Sequence, residues 1–148
     1  TVFDNQDDLA IELDQVEALA TEVLHYKDVQ CDELIIHFVS VDQIKKLHKK
    51  HFDDASSTDC ITLPMDDPGP SCEILGEVFI CPDTAIVYAK RHRLDIYEEC
   101  SLYIVHGILH LLGFDDIESA DIAKMRAAEK EIMDHLREKN LILTPPNW

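Results

Sequence analysis

The chain has 148 residues, of which 46% are apolar and 29% charged, a composition that suits an ordinary globular domain and excludes a low-complexity or disordered polymer. Thirty acidic against thirteen basic side chains leave a net charge of -17, which excludes indiscriminate attraction to polyanions, so a nucleic-acid partner requires a local basic patch or a metal. No apolar stretch reaches the roughly 20 residues that cross a bilayer, and Thr1 to Asp8 is acidic rather than a basic signal-peptide start, so a cytoplasmic protein with no membrane partner is expected.

The length suits a single domain over residues 1–148. Asp14-Gln15-Val16-Glu17 resembles a capping box, after which Val16, Leu19, Ala20, Val23 and Leu24 share one face of a first helix. Leu34 to Val39 is a β-rich run of strand length, and Ser40 is placed to cap a second helix that turns Ile44 and Leu47 inward. Cys60 to Leu63 and Leu75 to Cys81 are two further short strands on either side of a Pro/Gly loop at Asp66 to Pro70; spacing leaves open whether they pair. Pro82 is suited to open the next helix. From Ile96 to Leu112 apolar residues surround the helix instead of striping it, the mark of a central, enclosed segment. Ser119 is expected to cap a last helix to about Lys139, with Ile122, Met125, Ile132, Met133 and Leu136 inward. Together these give an α/β (α+β) domain with a small sheet. The five cysteines, Cys31, Cys60, Cys72, Cys81 and Cys100, are odd in number and lack C-x-x-C spacing, and are expected to be reduced and mostly buried.

The segment that carries chemistry is His106-Gly107-Ile108-Leu109-His110-Leu111-Leu112-Gly113-Phe114-Asp115-Asp116. Two histidines four residues apart project from one helical face within about 6 Å of each other, so both imidazoles reach one ion. Gly113 suits the left-handed residue that ends a helix, which lets the chain turn back and offer Asp116 as a third ligand. Three ligands leave a fourth position for water, whose pKa a divalent ion lowers toward about 7. The spacing is zincin-like, resembling H-E-x-x-H-x-x-G-x-x-H, but Gly107 stands where those zinc proteases keep their general-base glutamate. Two plainer readings stay open: hydrogen-bonded core histidines, or an ion that only holds the helix end in place. His25, His37, His92 and His135 have no ligand-like spacing and are assigned to structure.

This segment closely resembles the signature H-G-x-L-H-L-x-G-Y-D-H of the YbeY family of ribosomal-RNA maturation endoribonucleases, differing at two of the defined positions. Thr58-Asp59-Cys60-Ile61-Thr62-Leu63-Pro64 is similar to the family's T-D-V-L-S-F-P, and Leu75-Gly76-Glu77 to its L-G-D. The resemblance implies a mixed four-stranded sheet with about five helices around a buried central one. It also implies one divalent metal ion, zinc first, on His106, His110 and Asp116, with Thr62 lining the cleft. The implied activity is hydrolysis of single-stranded RNA in ribosome maturation and quality control. Its partners would be ribosomal RNA, pre-ribosomal particles, and ribosomal proteins or assembly GTPases.

Two positions depart from the pattern. Asp116 replaces the third histidine, adding a negative charge that weakens the ion's Lewis acidity and favours harder metals. Asp115 matches the motif's own aspartate, as a supporting residue or a competing ligand. Phe52 stands where the family has an arginine, a group suited to stabilise charge on a phosphodiester transition state. Lys49, Lys50, Arg91 or Arg93 is a substitute or a solvated surface charge. Lys45, Lys46, Lys49 and Lys50, with His48 and His51, form the local basic concentration, either as RNA-phosphate contacts or as an exposed helix face. Two rival functions follow: a ribosome-assembly factor with a structural metal and no nuclease step, and a metallopeptidase-like hydrolase whose base lies elsewhere than Gly107.

Overall fold

The computed structural model describes residues 1–52 and 60–147, the side chains of His51 and Phe52 excepted. Strands β1 (Val2–Asn5), β2 (Glu33–Val39), β3 (Cys60–Pro64) and β4 (Ile74–Ile80) form a mixed four-stranded sheet in the order β1-β2-β4-β3. Five helices accompany it among the described residues: α1 (Leu13–Tyr26), α2 (Val41–Phe52), α3 (Pro82–His92), α4 (Ile96–Leu111) and α5 (Ser119–Glu138). This is the α+β architecture that the resemblance implies. None of these helices is long and apolar enough to cross a membrane.

The sheet forms because its strands alternate in burial. Leu34, Ile36 and Phe38 of β2 turn into the main core, while Ile35 and His37 face the other side. β1 and β4 flank β2 in parallel, and β3 closes on β4 antiparallel, with Ile61 opposite Phe79 and Thr62 opposite Val78. The two strands around the Pro/Gly loop are therefore direct partners. Helix α2 covers part of the second face, where Ile44 joins Val39, Ile61, Phe79 and Cys81 in a smaller cluster. Ser40 accepts the Gln43 N–H at 3.2 Å, the predicted cap.

Helix α4 lies on the opposite face, packed against β3, β4, α1, α3 and α5. Asp95 caps its start by accepting the Glu98 N–H at 2.9 Å. Side chains all round it are buried, from Cys100, Tyr103 and Ile104 to Ile108, Leu109 and Leu111, as expected of an enclosed helix. Its approach to the sheet is set by Gly107. A Cβ there would stand 2.5 Å from Val78 Cγ1 and 2.9 Å from Cys60 Sγ, so any larger residue pushes the helix off the strands. The buried Ser101 hydroxyl is fully used, donating to the Tyr97 carbonyl at 2.8 Å and accepting the Leu143 N–H at 3.0 Å.

Several expectations are corrected. Residues 2–5 form the edge strand β1, which carries too little apolar alternation to be read in advance. Helix α1 starts at Leu13 after Glu12, not in an Asp14–Glu17 capping box, and α5 begins at Ser119 with Glu118 in the cap position and no side-chain cap. Ile122 is 38% exposed rather than inward, because the face α5 turns to the core runs through Met125, Ala128, Glu129, Ile132, Met133 and Leu136. The cysteines are not all reduced: Cys31 and Cys72 are joined, their Cα atoms 4.6 Å apart, while Cys60, Cys81 and Cys100 are free. The parallel pairing of β2 and β4 brings together the segments that lead into each strand, and Asp32 donates to the Cys72 carbonyl at 3.0 Å beside the bridge. The side chains of His51 and Phe52, and the whole of Thr58, Asp59 and Trp148, lie outside what the structure describes.

Gly107→Ala is expected to lower unfolding free energy by about 1–3 kcal/mol through overpacking against Val78 and Cys60, measured by urea denaturation. Reducing the Cys31–Cys72 bridge, which closes a loop of 41 residues, is expected to cost about 4 kcal/mol by the chain-entropy relation. Denaturation with and without reductant checks it, and the Cys31→Ser/Cys72→Ser protein should be indifferent to reductant.

Candidate metal centre

Helix α4 ends in a Schellman arrangement. Gly113, at φ +99°, donates to the His110 carbonyl at 3.1 Å, and Phe114 donates to the Leu109 carbonyl at 3.0 Å. The reversed chain brings Asp116 back over the helix end, and Asp115 Oδ1 accepts the Asp116 N–H at 2.8 Å. Asp115 thus steadies the turn and is itself exposed, while Asp116 faces the histidines. Among the described residues, His106, His110 and Asp116 form the one group of His, Cys, Asp or Glu close enough to share an ion.

Its dimensions suit a small tetrahedral cation. His106 Nε2 and His110 Nε2 are 3.0 Å apart, and Asp116 Oδ2 lies 3.4 Å from each. Ligands held at about 2.0–2.1 Å in a tetrahedron stand about 3.3 Å from one another, so little rearrangement is needed. The imidazole planes meet edge-on at 85° rather than stacking, and the two Nε2 atoms are the ones that approach each other. The donor set of two imidazoles and a carboxylate suits zinc, and its carboxylate also admits harder divalent ions. Half-buried histidines beside a more exposed Asp116 leave the group open to solvent on one side.

Glu129, on α5, is a residue to which the sequence reading gave no role. Its carboxylate is buried at 4% exposure. Oε2 lies 2.6 Å from His106 Nδ1, and Oε1 accepts from Arg126 at 2.7 Å. Burial pushes the Glu129 carboxyl up, but hydrogen bonds from His106 and Arg126 outweigh it and hold it below the usual glutamate value. A signal was present: position 129 falls on the apolar face shared by Met125, Ile132 and Leu136, and a glutamate there is not a solvated charge.

The other site candidates are dispersed. Thr62 lies mid-strand in β3, on the sheet face shared with Val78 and Cys60, and so on the side where α4 packs. Lys45, Lys46, Lys49 and Lys50 are exposed on α2, across the sheet from α4. Arg91 and Arg93 are exposed where α3 ends. That is near the start of α4, roughly 15–20 Å along the helix from the histidines at 1.5 Å per residue, so neither substitutes at the metal centre for the family arginine. His37 stacks between Phe3 and Phe79 with Glu77 at 3.0 Å, and His135 meets Glu22 at 3.0 Å, both as structural residues.

The family model described as endoribonuclease YbeY matches residues 1–137. A protein named endoribonuclease YbeY from Protochlamydia amoebophila is 47% identical over 139 residues, covering 93% of each chain. Its namesake from Chlamydia pneumoniae is 41% identical over an aligned 148 residues, covering 97% of this chain and 94% of the relative. Among solved structures, the solution structure of TM1509 from Thermotoga maritima superposes with a TM-score of 0.60 at 19% identity, covering 100% of this chain and 99% of that one, which supports the fold. A whole-length match in sequence, with the motif histidines meeting at the end of the enclosed helix, places this chain in the YbeY family.

Proposed function

We propose that this protein is a metal-dependent endoribonuclease that cleaves single-stranded RNA during ribosomal-RNA maturation and ribosome quality control. The observation that carries the reading is the triangle of His106 Nε2, His110 Nε2 and Asp116 Oδ2, with sides of 3.0, 3.4 and 3.4 Å, open to solvent in a chain of the YbeY family. A divalent ion held there, zinc first, supplies electrophilic activation of water and neutralises charge at the phosphodiester. The chain's own contribution is to hold those three donors with little reorganisation. Exposed Lys45, Lys46, Lys49 and Lys50 are the binding groups for phosphates, offsetting the repulsion of a -17 chain. Arg91 and Arg93 extend that contact set at a distance from the chemistry. The partners on this reading are ribosomal RNA, pre-ribosomal particles, and the ribosomal proteins or assembly GTPases that accompany them, in the cytoplasm.

The peptidase reading loses support. Gly107 faces Val78 and Cys60, so a base at that position would point into the sheet. Glu129 lies against His106 at Nδ1, on the ring edge away from the shared position, and Arg126 also engages it.

Cleavage of a structured ribosomal-RNA fragment is expected to stop on chelation, return with zinc or manganese, and fall to background in His110→Ala. Activity indifferent to either treatment would sink the nuclease assignment. A His106→Ala protein that still binds pre-ribosomal particles and supports maturation would point to an assembly factor instead. Zinc at 100 times its Kd should raise unfolding free energy by about 2.7 kcal/mol, and not in His110→Ala. Lys45→Ala/Lys49→Ala is expected to weaken RNA binding and flatten the slope of log K against log salt by about 1.4 if each lysine neutralises one phosphate.

A further inference from the structure

We infer that Glu129 is the positioning residue for His106, holding the imidazole with its proton on Nδ1 so that the lone pair sits on Nε2, toward His110 and Asp116, with Arg126 fixing the carboxylate. This rests on reading His106, His110 and Asp116 as a metal centre.

A carboxylate only accepts, so a 2.6 Å contact from His106 Nδ1 to Glu129 Oε2 requires the proton to sit on Nδ1. The opposite ring atom, Nε2, then offers its lone pair, and Nε2 is the atom that stands 3.0 Å from His110 Nε2 and 3.4 Å from Asp116 Oδ2. The relay joins two helices: Met125, Ile132 and Met133 dock α5 on α4, and that docking aims the carboxylate. Arg126, one turn earlier on α5, holds Oε1 at 2.7 Å. Its largely exposed side chain also lines an open cavity of about 330 Å³ between the two helices, with Leu102, Met133 and Glu99. The chain of contacts thus runs from solvent through Arg126 and Glu129 to the face of His106 that a metal would not occupy.

The asymmetry of the relay makes it testable. Glu129→Gln keeps size but gives the residue one accepting and one donating end. Arg126 only donates, so it draws the amide oxygen and leaves the amide N–H₂ against Nδ1. That orientation moves the imidazole proton to Nε2 and removes the lone pair a metal needs. Deleting the Arg126 guanidinium as well frees the amide to turn its oxygen back to Nδ1.

Zinc affinity measured by competition with a chelating dye should therefore fall about 10–100-fold in Glu129→Gln, and most of that loss should return in Glu129→Gln/Arg126→Ala. A residue that merely fills space predicts additive losses instead. Long-range ¹H–¹⁵N spectra of the histidine rings in the wild-type protein should show His106 protonated at Nδ1, with and without zinc. Three outcomes would overturn the proposal: a wild-type His106 carrying its proton on Nε2, a Glu129→Gln protein that binds zinc as tightly as wild type, or a double variant no tighter than Glu129→Gln. The ring spectra decide the matter if a variant fails to fold. A wild-type protein that takes up no zinc at His106, His110 and Asp116 defeats the metal reading, and the His106 tautomer in that sample still tells whether Glu129 sets the proton.

Discussion

The contact on which the site depends is the one between α4 and the sheet at Gly107, where absence of a side chain lets the helix lie directly against Val78 and Cys60. It fixes the rotation of α4 about its own axis. With position 107 turned to the strands, positions 106 and 110, which share a helical face, turn past the edge of the sheet toward α5 and the returning chain. The same packing recurs one turn later, where a Cβ at Gly76 would meet Leu111 Cδ2 at 2.7 Å. Gly107 thus sets the separation of helix and strands, while Gly76 is confined first by the Leu63 carbonyl of β3 at 2.6 Å and then by Leu111 of the helix. Ordinary side chains at either point would displace the histidines relative to Asp116 and α5.

Helix termination does the rest of the positioning. The last turn of α4, whose Leu109 and His110 carbonyls are taken up by the Schellman turn, carries the negative end of the helix dipole, which favours a cation there. Asp116 in place of a third imidazole adds a charge to that end. A divalent ion with one carboxylate ligand would retain a net charge of about +1, which Glu129 behind His106 would partly offset. Arg126, paired with Glu129 at 2.7 Å, withdraws part of that negative charge from the imidazole. With an ion bound, the guanidinium on α5 would temper both carboxylates, Glu129 directly and Asp116 through the ion, which would help an acidic ligand set retain electrophilic power.

What the sequence made legible follows from the range of the forces involved. Helix α4 was readable because burial on all sides leaves an apolar run with no polar stripe, and the His106–His110 pair because a helical repeat of 3.6 residues turns spacing directly into direction. Gly113 announced the chain reversal. By contrast, β1 is held by pairing with β2 and buries little of its own, with Phe3 45% exposed, so no periodicity betrays it. The Cys31–Cys72 bridge depends on the parallel pairing of β2 with β4, a relation between segments 41 residues apart that spacing cannot express. Glu129 belongs between these cases. Its place on the apolar face of α5 marked it as buried, but only the docking of α5 on α4 says which donor it meets.

The distribution of charge constrains how a polyanion reaches this centre. The exposed lysines of α2 and the histidines of α4 lie on opposite faces of the sheet, and β3, the edge strand on that side, stands between them with Cys60 against Gly107 and Ile61 against the α2 cluster. An RNA strand engaging both must therefore pass around the β3 edge, since the sheet itself is closed by Val78, Phe79 and their neighbours. Attraction and chemistry are then separate in space. On the proposed reading, the lysines would govern how strongly and at what ionic strength a strand is captured, because exposed charges are screened within about 8–10 Å in physiological salt. The triangle at the α4 terminus is less exposed than the lysines, and on its inner side it meets the buried Glu129, which Arg126 engages.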